Sequence, residues 1–302
     1  MSSTSPANLT FRIDNLSDPA KRGAWVSLLR DIFGIDFSSF SALGIWPDDY
    51  RAFSYLDGEV IAANICCNPL PLRVKGRDVL AGQLQGVATR PAYRRRGLFQ
   101  DLMTRVLAFA DTRYEFLLLY TETPTLYQPF GFRLVAEHGF HGRFRLAGID
   151  VTGLVIQPLS VVEPADLSLI RRLFTGRQPI SDTLGIIDNE GVFFGNLLLR
   201  PGLRLSYLPV EDVLVVWDIE GTDGRSRLID LVGAAWPSMD ILAAVMQLPA
   251  PDAEVDILFP PDRLNGTFSA LPHVHEEGDL LMVRGPFAIE HEAFMLPLTA
   301  LS

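Results

Sequence analysis

The chain has 302 residues, 48% of them hydrophobic and 21% charged, and a formal net charge of −10 at pH 7. That composition is globular rather than disordered, and the length suffices to bury a large core and favours two domains. The acidic balance argues against a general binder of nucleic acid or anionic membrane, whose footprint is basic.

In chain order, the opening MSSTSPANLTFRID lacks the apolar core of a secretory signal, and no apolar run reaches a membrane span, so a cytoplasmic protein is expected. Residues 11–14 read as a first strand. Asp18-Pro19 leads to a helix over 24–33, with Trp25, Leu28, Leu29 and Ile32 at helical spacing. Residues 34–50 form an aromatic loop or short helix carrying Phe37, Phe40, Trp46 and Tyr50. Strands are expected over 51–56, 59–68 and 70–74, with Asp57-Gly58 as a hairpin signal. Cys66 and Cys67 are the only cysteines; neighbours on a strand point to opposite faces, so they read as small buried hydrophobes, in keeping with a reducing compartment.

After a turn at Lys75-Gly76, residues 79–89 return as a strand that ends in the stretch the chain is organised around, LQGVATRPAYRRRG over 84–97. Gly86 suits a bulge or a close backbone approach. Pro91 ends the strand, since proline offers no ladder donor. From Leu98, the apolar residues Phe99, Leu102, Met103, Val106, Leu107 and Ala110 continue at helical spacing. A helix N-terminus presents unpaired N–H groups and partial positive charge, Gly97 keeps the approach open, and Arg94, Arg95 and Arg96 add guanidinium forks that suit phosphate. Of 26 basic residues only Lys21 and Lys75 are lysines, so arginines alone are weak evidence; in so acidic a chain, a local cluster fits a small phosphorylated ligand better than a polyanion.

A second block follows, FLLLYTETPTLYQPFGF over 116–132, which opens on an apolar run of buried-strand length and closes on Leu126-Tyr127 and Gly131-Phe132. Together the blocks resemble the GCN5-related N-acetyltransferases. In that family a strand leads to Gln/Arg-x-x-Gly-x-Gly/Ala and a helix, positions filled here by Arg94, Gly97 and Phe99, the last a departure from the usual small residue. The later block is similar to the family's Leu-Tyr-x-x-x-Gly-Phe element. The resemblance implies an α+β fold with a mixed sheet and acetyl-CoA as co-substrate. It implies a pyrophosphate held by Arg94, Arg95, Arg96, Gly97, Leu98 and Phe99, and a thioester beside Val87, Ala88 and Thr89. It also implies that Tyr127 returns a proton to the departing thiolate. A glutamate that serves as base in some relatives would fall at Gln83, which cannot act so; Glu122, just past the strand, is the candidate by placement. Acceptor and partner would be a small-molecule primary amine, cationic if charge complementarity decides, with no nucleic acid or membrane involved and self-association left open.

A strand over 134–145 should close this first domain, residues 1–150, with His138 and His141 as structural or surface residues. Beyond a Gly-bearing connector, residues 159–302 read as a second copy of the fold. A helix over 161–174 has Asp166 as cap, strands are expected over 193–199, 203–208, 213–219 and 228–232, a helix over 239–247, and strands over 255–259 and 280–284. The Arg-rich Gly turn is missing there: LVGAAWPS stands between strand and helix. This copy is therefore expected not to bind CoA but to serve as acceptor wall, lid or dimer surface. His273-x-His275 beside Glu276 and Glu277 has metal-like spacing, but in LPHVHEEGD a solvated acidic loop is the expectation, with no metal. The apolar C-terminus, 294–301, should dock; some tandem members of the family it resembles place a terminal carboxylate in the active site, which would here be that of Ser302. Two other functions compete: a non-catalytic acyl-CoA sensor, and an aminoacyl-tRNA-dependent tandem transferase, which would need a basic surface.

Overall fold

An antiparallel meander opens the fold: β1 (Thr10–Asn15), β2 (Arg51–Asp57), β3 (Val60–Val74) and β4 (Arg77–Thr89) pair in sequence order. A computed structural model describes residues 9–46, 50–220, 224–249, 251–275 and 278–301, apart from the side chains of residues 41 and 42. Between β1 and β2, Asp18 accepts the Ala20 amide, Pro19 starts helix α1 (Pro19–Phe33), and Gly34 at φ 72° stops it. α1 buries Trp25, Leu28 and Leu29 against the sheet, and the short α2 (Ser38–Ala42) follows. β3 runs straight through Pro69 and Pro71, as one strand where two are expected. Both prolines pair only with β4, because β2 ends its pairing at Cys67 and the small strand β9 (Leu184–Ile186) begins at Leu72. Their missing donors thus fall between those two ladders, where the Pro71 carbonyl accepts the Ile187 amide.

β4 leads to helix α3 (Leu98–Ala110), which returns the chain to β5 (Leu117–Thr121), parallel to β4. The second half repeats this. After strand β8 (Gln157–Leu159), helices α4 (Pro164–Thr175) and α5 (Glu190–Leu199) precede the meander β10 (Arg204–Leu208), β11 (Val213–Glu220) and β12 (Arg225–Gly233). Helix α6 (Met239–Val245) then crosses to β13 (Glu254–Ile257), parallel to β12. Asp166 does not cap α4: Glu163 occupies that position, and the Asp166 carboxylate accepts the Ser160 amide instead. Residues 193–199, expected as a strand, lie in α5. Phe193, Phe194, Gly195, Asn196 and Leu197 are all buried there, and a segment buried on every side has no periodicity to separate helix from strand.

The two halves then exchange strands. β15 (Leu280–Arg284), from the end of the chain, inserts between β5 and β6 (Arg133–Leu134). β7 (Glu137–Phe144), expected as the last strand of the first sheet, inserts instead between β13 and β14 (Gly266–His273). Alternation marked residues 134–145 as a strand but carries no information on its partner. Among the described residues the first sheet has eight strands, in the order β1-β2-β3-β4-β5-β15-β6 with β9 beside β3, and the second has seven, β14-β7-β13-β12-β11-β10-β8.

Cys66 and Cys67 are fully buried on opposite faces of β3, one in the cluster under α1 and one in that under α3. Burial pushes both thiols up to about 12, and Trp25 Nε1 donates to Cys66 Sγ at 3.1 Å. The C-terminal segment docks as expected: Phe294, Met295, Leu296 and Leu298 are buried, Gln83 Nε2 donates to the Ala300 carbonyl, and Asn196 Nδ2 to that of Leu301.

Candidate active site

β4 and β5 pair only at Gly82–Leu117 and Gln83–Leu118. Beyond that point they diverge, and Leu84, Gln85, Gly86 and Val87 on one side and Leu119, Tyr120 and Thr121 on the other line a single cavity of about 1070 Å³. The divergence has a local cause in β4. Asn64 pairs with Ala88 and Cys66 with Gln85, so Gly86 and Val87 together oppose one residue of β3. Gly86 takes φ 57°, the left-handed geometry of a bulge that begins on glycine. Buried Asn64 fixes it: its Nδ2 donates to the Gly86 carbonyl at 2.7 Å, while its Oδ1 accepts the Ser54 hydroxyl at 2.8 Å. Among the described residues no strand pairs with the β5-facing edge of residues 84–89, which leaves backbone groups there for an extended ligand.

The turn between β4 and α3 is held from within. Arg94 Nε donates to the Thr89 carbonyl, and Arg96 Nη2 donates to that of Ala92 while its guanidinium lies over the Tyr93 ring. Arg95 and Gly97 both adopt left-handed backbone, at φ 61° and 76°, and Arg95 is exposed. Gly97 is the N-cap of α3, has no side-chain cap, and would carry a Cβ in open space. The amides of Gly97, Leu98 and Phe99 meet no acceptor among the described residues. Phe99 does not obstruct them, because its ring turns inward, edge-on to Tyr127 at 5.6 Å and to Phe130 at 5.8 Å. An open helix N-terminus with an unengaged guanidinium beside it fits a phosphate group. The equivalent point of the second half does not: Ser238 caps α6 itself, its hydroxyl accepting the Ile241 amide.

Tyr127 lies between two short 3-10 turns, Pro124–Leu126 and Gln128–Phe130, and is buried. Burial, and then the negative charge of Asp279, push its hydroxyl up to about 12 against the opposing hydrogen bond with Thr121. It lines the cavity, as does exposed Glu122. Gln83 lies buried beneath, engaged with the C-terminal segment.

The rest of the cavity comes from the aromatic segment over 34–50 and from the second half, for which an acceptor wall is among the expectations. Phe37, Phe40, Trp46 and Tyr50 form an aromatic wall, and α5, the Asp218–Arg227 ion pair, His273, His275 and Asp279 supply the side from the second half. Glu137 at the start of β7 is 5% exposed; its Oε1 accepts the Tyr120 hydroxyl and the Leu296 amide, each at 3.0 Å, and its Oε2 lies 3.0 Å from His275 Nε2. His273 and His275 thus stand at the cavity rather than in a solvated loop, since β14 extends through His273. Glu276, Glu277 and Ser302 lie outside the described residues. A signal existed in the His-x-His spacing, but its partner Glu137 is in the other half of the sequence. His141 pairs with Asp256 at 2.7 Å, away from the cavity lining, and His138 stands opposite Pro272 in the β7–β14 ladder.

Residues 24–135 match the family model of the acetyltransferase (GNAT) domain. The chain has the fold of several solved structures. A conserved protein from Enterococcus faecalis is 15% identical, with a TM-score of 0.57, covering 91% of this chain and 72% of the other. A GCN5-related N-acetyltransferase from Kribbella flavida is 17% identical at a TM-score of 0.54, covering 93% and 72%. Eis1 from Mycobacterium abscessus is 15% identical at 0.54, covering 91% and 73%. No curated protein matches the chain. The family model spans the aromatic segment, the bulged strand, the open helix N-terminus and Tyr127, so this segment of the chain is similar to the acetyltransferase (GNAT) domain, a family whose acyl donor is acetyl-CoA.

Proposed function

We propose that the protein moves the acetyl group of acetyl-CoA to a primary amine by direct attack. Residues 1–150 hold the donor, and residues 159–302 supply the far wall of the acceptor cavity rather than a second CoA site. The observation that carries this reading is the pairing of two open features on consecutive elements. The N-terminus of α3 has free amides at Gly97, Leu98 and Phe99 for the pyrophosphate, with Arg94, Arg95 and Arg96 around it. The unpaired edge of β4 at Val87, Ala88 and Thr89 offers backbone groups to the pantetheine arm and the thioester carbonyl. When bound, acetyl-CoA supplies the activated acyl group; the chain's part is to orient it and to manage protons.

Tyr127 faces the departing sulfur in this reading. An ordinary thiol titrates near 8.5, so complete transfer from a hydroxyl at about 12 is uphill by roughly 5 kcal/mol. Tyr127 therefore acts chiefly as a neutral hydrogen-bond donor that stabilises charge building on sulfur, and the proton follows as the bond breaks. Glu122 and Asp279 give the cavity negative charge beside an aromatic wall, which suits a small cationic amine with an apolar body. Two buried free cysteines suit a reducing compartment such as the cytoplasm, and no helix among the described residues is long and apolar enough to cross a membrane.

Calorimetric titration with acetyl-CoA tests the reading. Micromolar binding is expected in the intact protein. Arg95→Ala should weaken it by about tenfold or more, the worth of a charge-assisted hydrogen bond, without touching the bonds by which Arg94 and Arg96 hold the turn. Gly97→Ala should weaken it further, since the new methyl occupies the ligand's approach. No binding to the intact protein would refute the proposal.

A further inference from the structure

We propose that His275 is the general base that takes the proton from the acceptor amine, and that Glu137 is its positioning residue; this rests on the acyltransfer reading above. A primary amine titrates near 10.4 and enters mostly as its ammonium, so the reaction must dispose of protons on nitrogen. Gln83 has no basic atom, and exposed Glu122 has no hydrogen-bond partner that orients it among the described residues. At the same cavity stands an imidazole held on several sides.

The local geometry fixes which nitrogen is free. Two donors, the Tyr120 hydroxyl and the Leu296 amide, already point at Glu137 Oε1. The remaining oxygen, Oε2, lies 3.0 Å from His275 Nε2, and a carboxylate in that position accepts; the imidazole therefore carries its proton on Nε2. Nδ1 is left with its lone pair and meets no hydrogen-bond partner among the described residues, on a ring that lines the cavity. The ring plane is set by edge contacts with Tyr120 at 5.1 Å and His273 at 4.9 Å. An oriented base behind a buried carboxylate is the arrangement that makes histidine an effective proton acceptor.

The strand exchange builds this group and ties it to the donor side. Glu137 comes from β7, His273 from β14 with His275 just beyond it, and Tyr120 from β5; Glu137 and His273 stand opposite each other in the β7–β14 ladder. β5 also carries Thr121, the hydrogen-bond partner of Tyr127. Burial, then Glu137 and last the charge of Asp279, just ahead of β15, push up the Tyr120 hydroxyl, and burial and then Asp279 push up that of Tyr127, so the Tyr120 beside the imidazole and the Tyr127 hydroxyl share one carboxylate neighbour. Among the described residues, Glu137, Tyr120 and His273 are the titratable groups in contact with the imidazole.

In the step assigned here the ammonium first gives one proton to His275 Nδ1, which passes it to solvent; the lone pair so freed forms the C–N bond at the thioester carbonyl, and the second proton that nitrogen sheds goes to His275 Nδ1. The C–S bond breaks with its electron pair on sulfur, which takes a proton from Tyr127. His275 then yields the second proton to solvent and Tyr127 takes one back from solvent, so one amide, one thiol and one released proton result from one ammonium and one thioester.

The test uses the full chain, acetyl-CoA, and three amines as probes: spermidine, tyramine and kanamycin, with thiol release as the readout. His275→Gln should bind acetyl-CoA within about twofold of the unaltered protein, yet lose roughly 10²–10⁴-fold in kcat. His275→Ala should regain part of its rate with added imidazole, and Glu137→Gln should fall between. Nitrogen NMR of the imidazoles in the unaltered protein, which needs no variant to fold, should show His275 protonated at Nε2 and bare at Nδ1. A His275→Gln rate within threefold of normal, or an Nδ1-protonated ring, overturns the assignment. So does a protein that binds the donor but transfers to none of the three amines. Absence of acetyl-CoA binding brings down the acyltransfer reading itself, and the base with it.

Discussion

Leu118 and Val283 face each other in one antiparallel ladder, although they come from opposite halves of the chain, and Phe140 and Ile257 do the same in the other sheet. The exchange is reciprocal: each half lends the strand that sits between the last two strands of its counterpart. Without the loan, β5 and β13 would each present an unpaired edge next to an incomplete core, a state prone to aggregation. Residues 1–150 and 159–302 produced separately should therefore be insoluble or unfolded, and produced together should recover a folded complex. The intact chain should unfold in one cooperative transition by calorimetry. Two separated transitions, or a folded first fragment that binds acetyl-CoA, would show that the exchange does not govern stability.

Removal of the Tyr127 hydroxyl isolates its chemistry from its packing. Tyr127→Phe keeps the edge contacts with Phe99 and Phe132, so acetyl-CoA affinity should hold while kcat falls by about 10²–10⁴. The pH dependence has a definite sign. Because the folded hydroxyl is pushed up to about 12 from an ordinary value near 10, the unfolded chain loses this proton first as pH rises. The contribution, roughly 2–3 kcal/mol, is present below pH 10 and is lost between about pH 10 and 12. Urea unfolding at pH 9 and 11 should show a smaller alkaline loss in Tyr127→Phe than in the unaltered protein. An equal loss in both would mean that burial of this hydroxyl is not what matters.

Much of the donor half was legible because its signals are local. The bulge at Gly86, the stop at Pro91 and the helix that starts after Gly97 all follow from residues a few positions apart. So does the hairpin at Asp57-Gly58. What could not be read is what depends on distance. The partner of β7 and the Glu137–His275 contact join residues from different halves, and no periodicity encodes such a pairing. α5 escaped for a different reason. Its middle, Phe193 to Leu197, shows no amphipathic period because it is buried throughout, against the core of the second half and the C-terminal segment. Phe99 looked like a defect in the turn on paper, and only the three-dimensional arrangement shows its bulk absorbed by Tyr127 and Phe130.

In the second half, Arg177 and Asp230 form an ion pair removed from water, their side chains 1% and 0% exposed and 2.9 Å apart. Asp230 is well served: its Oδ1 also accepts the Leu231 amide, and its Oδ2 accepts the Thr299 hydroxyl at 2.7 Å, which pins the C-terminal segment. Arg177 is less so, with Nε and Nη1 lacking partners among the described residues and its guanidinium over the Phe174 ring at 5.1 Å. A buried pair gains little over an apolar replacement, whereas loss of one member strands the other charge. Asp230→Ala should cost about 3–5 kcal/mol in urea unfolding. It should also raise KM for the amine, because the freed segment includes Leu301 on the cavity wall. Arg177→Met combined with Asp230→Ala should recover most of the stability but not the KM, since Thr299 still lacks its acceptor. If the double variant is as unstable as the single one, the loss comes from the Thr299 and Leu231 hydrogen bonds rather than from a stranded guanidinium.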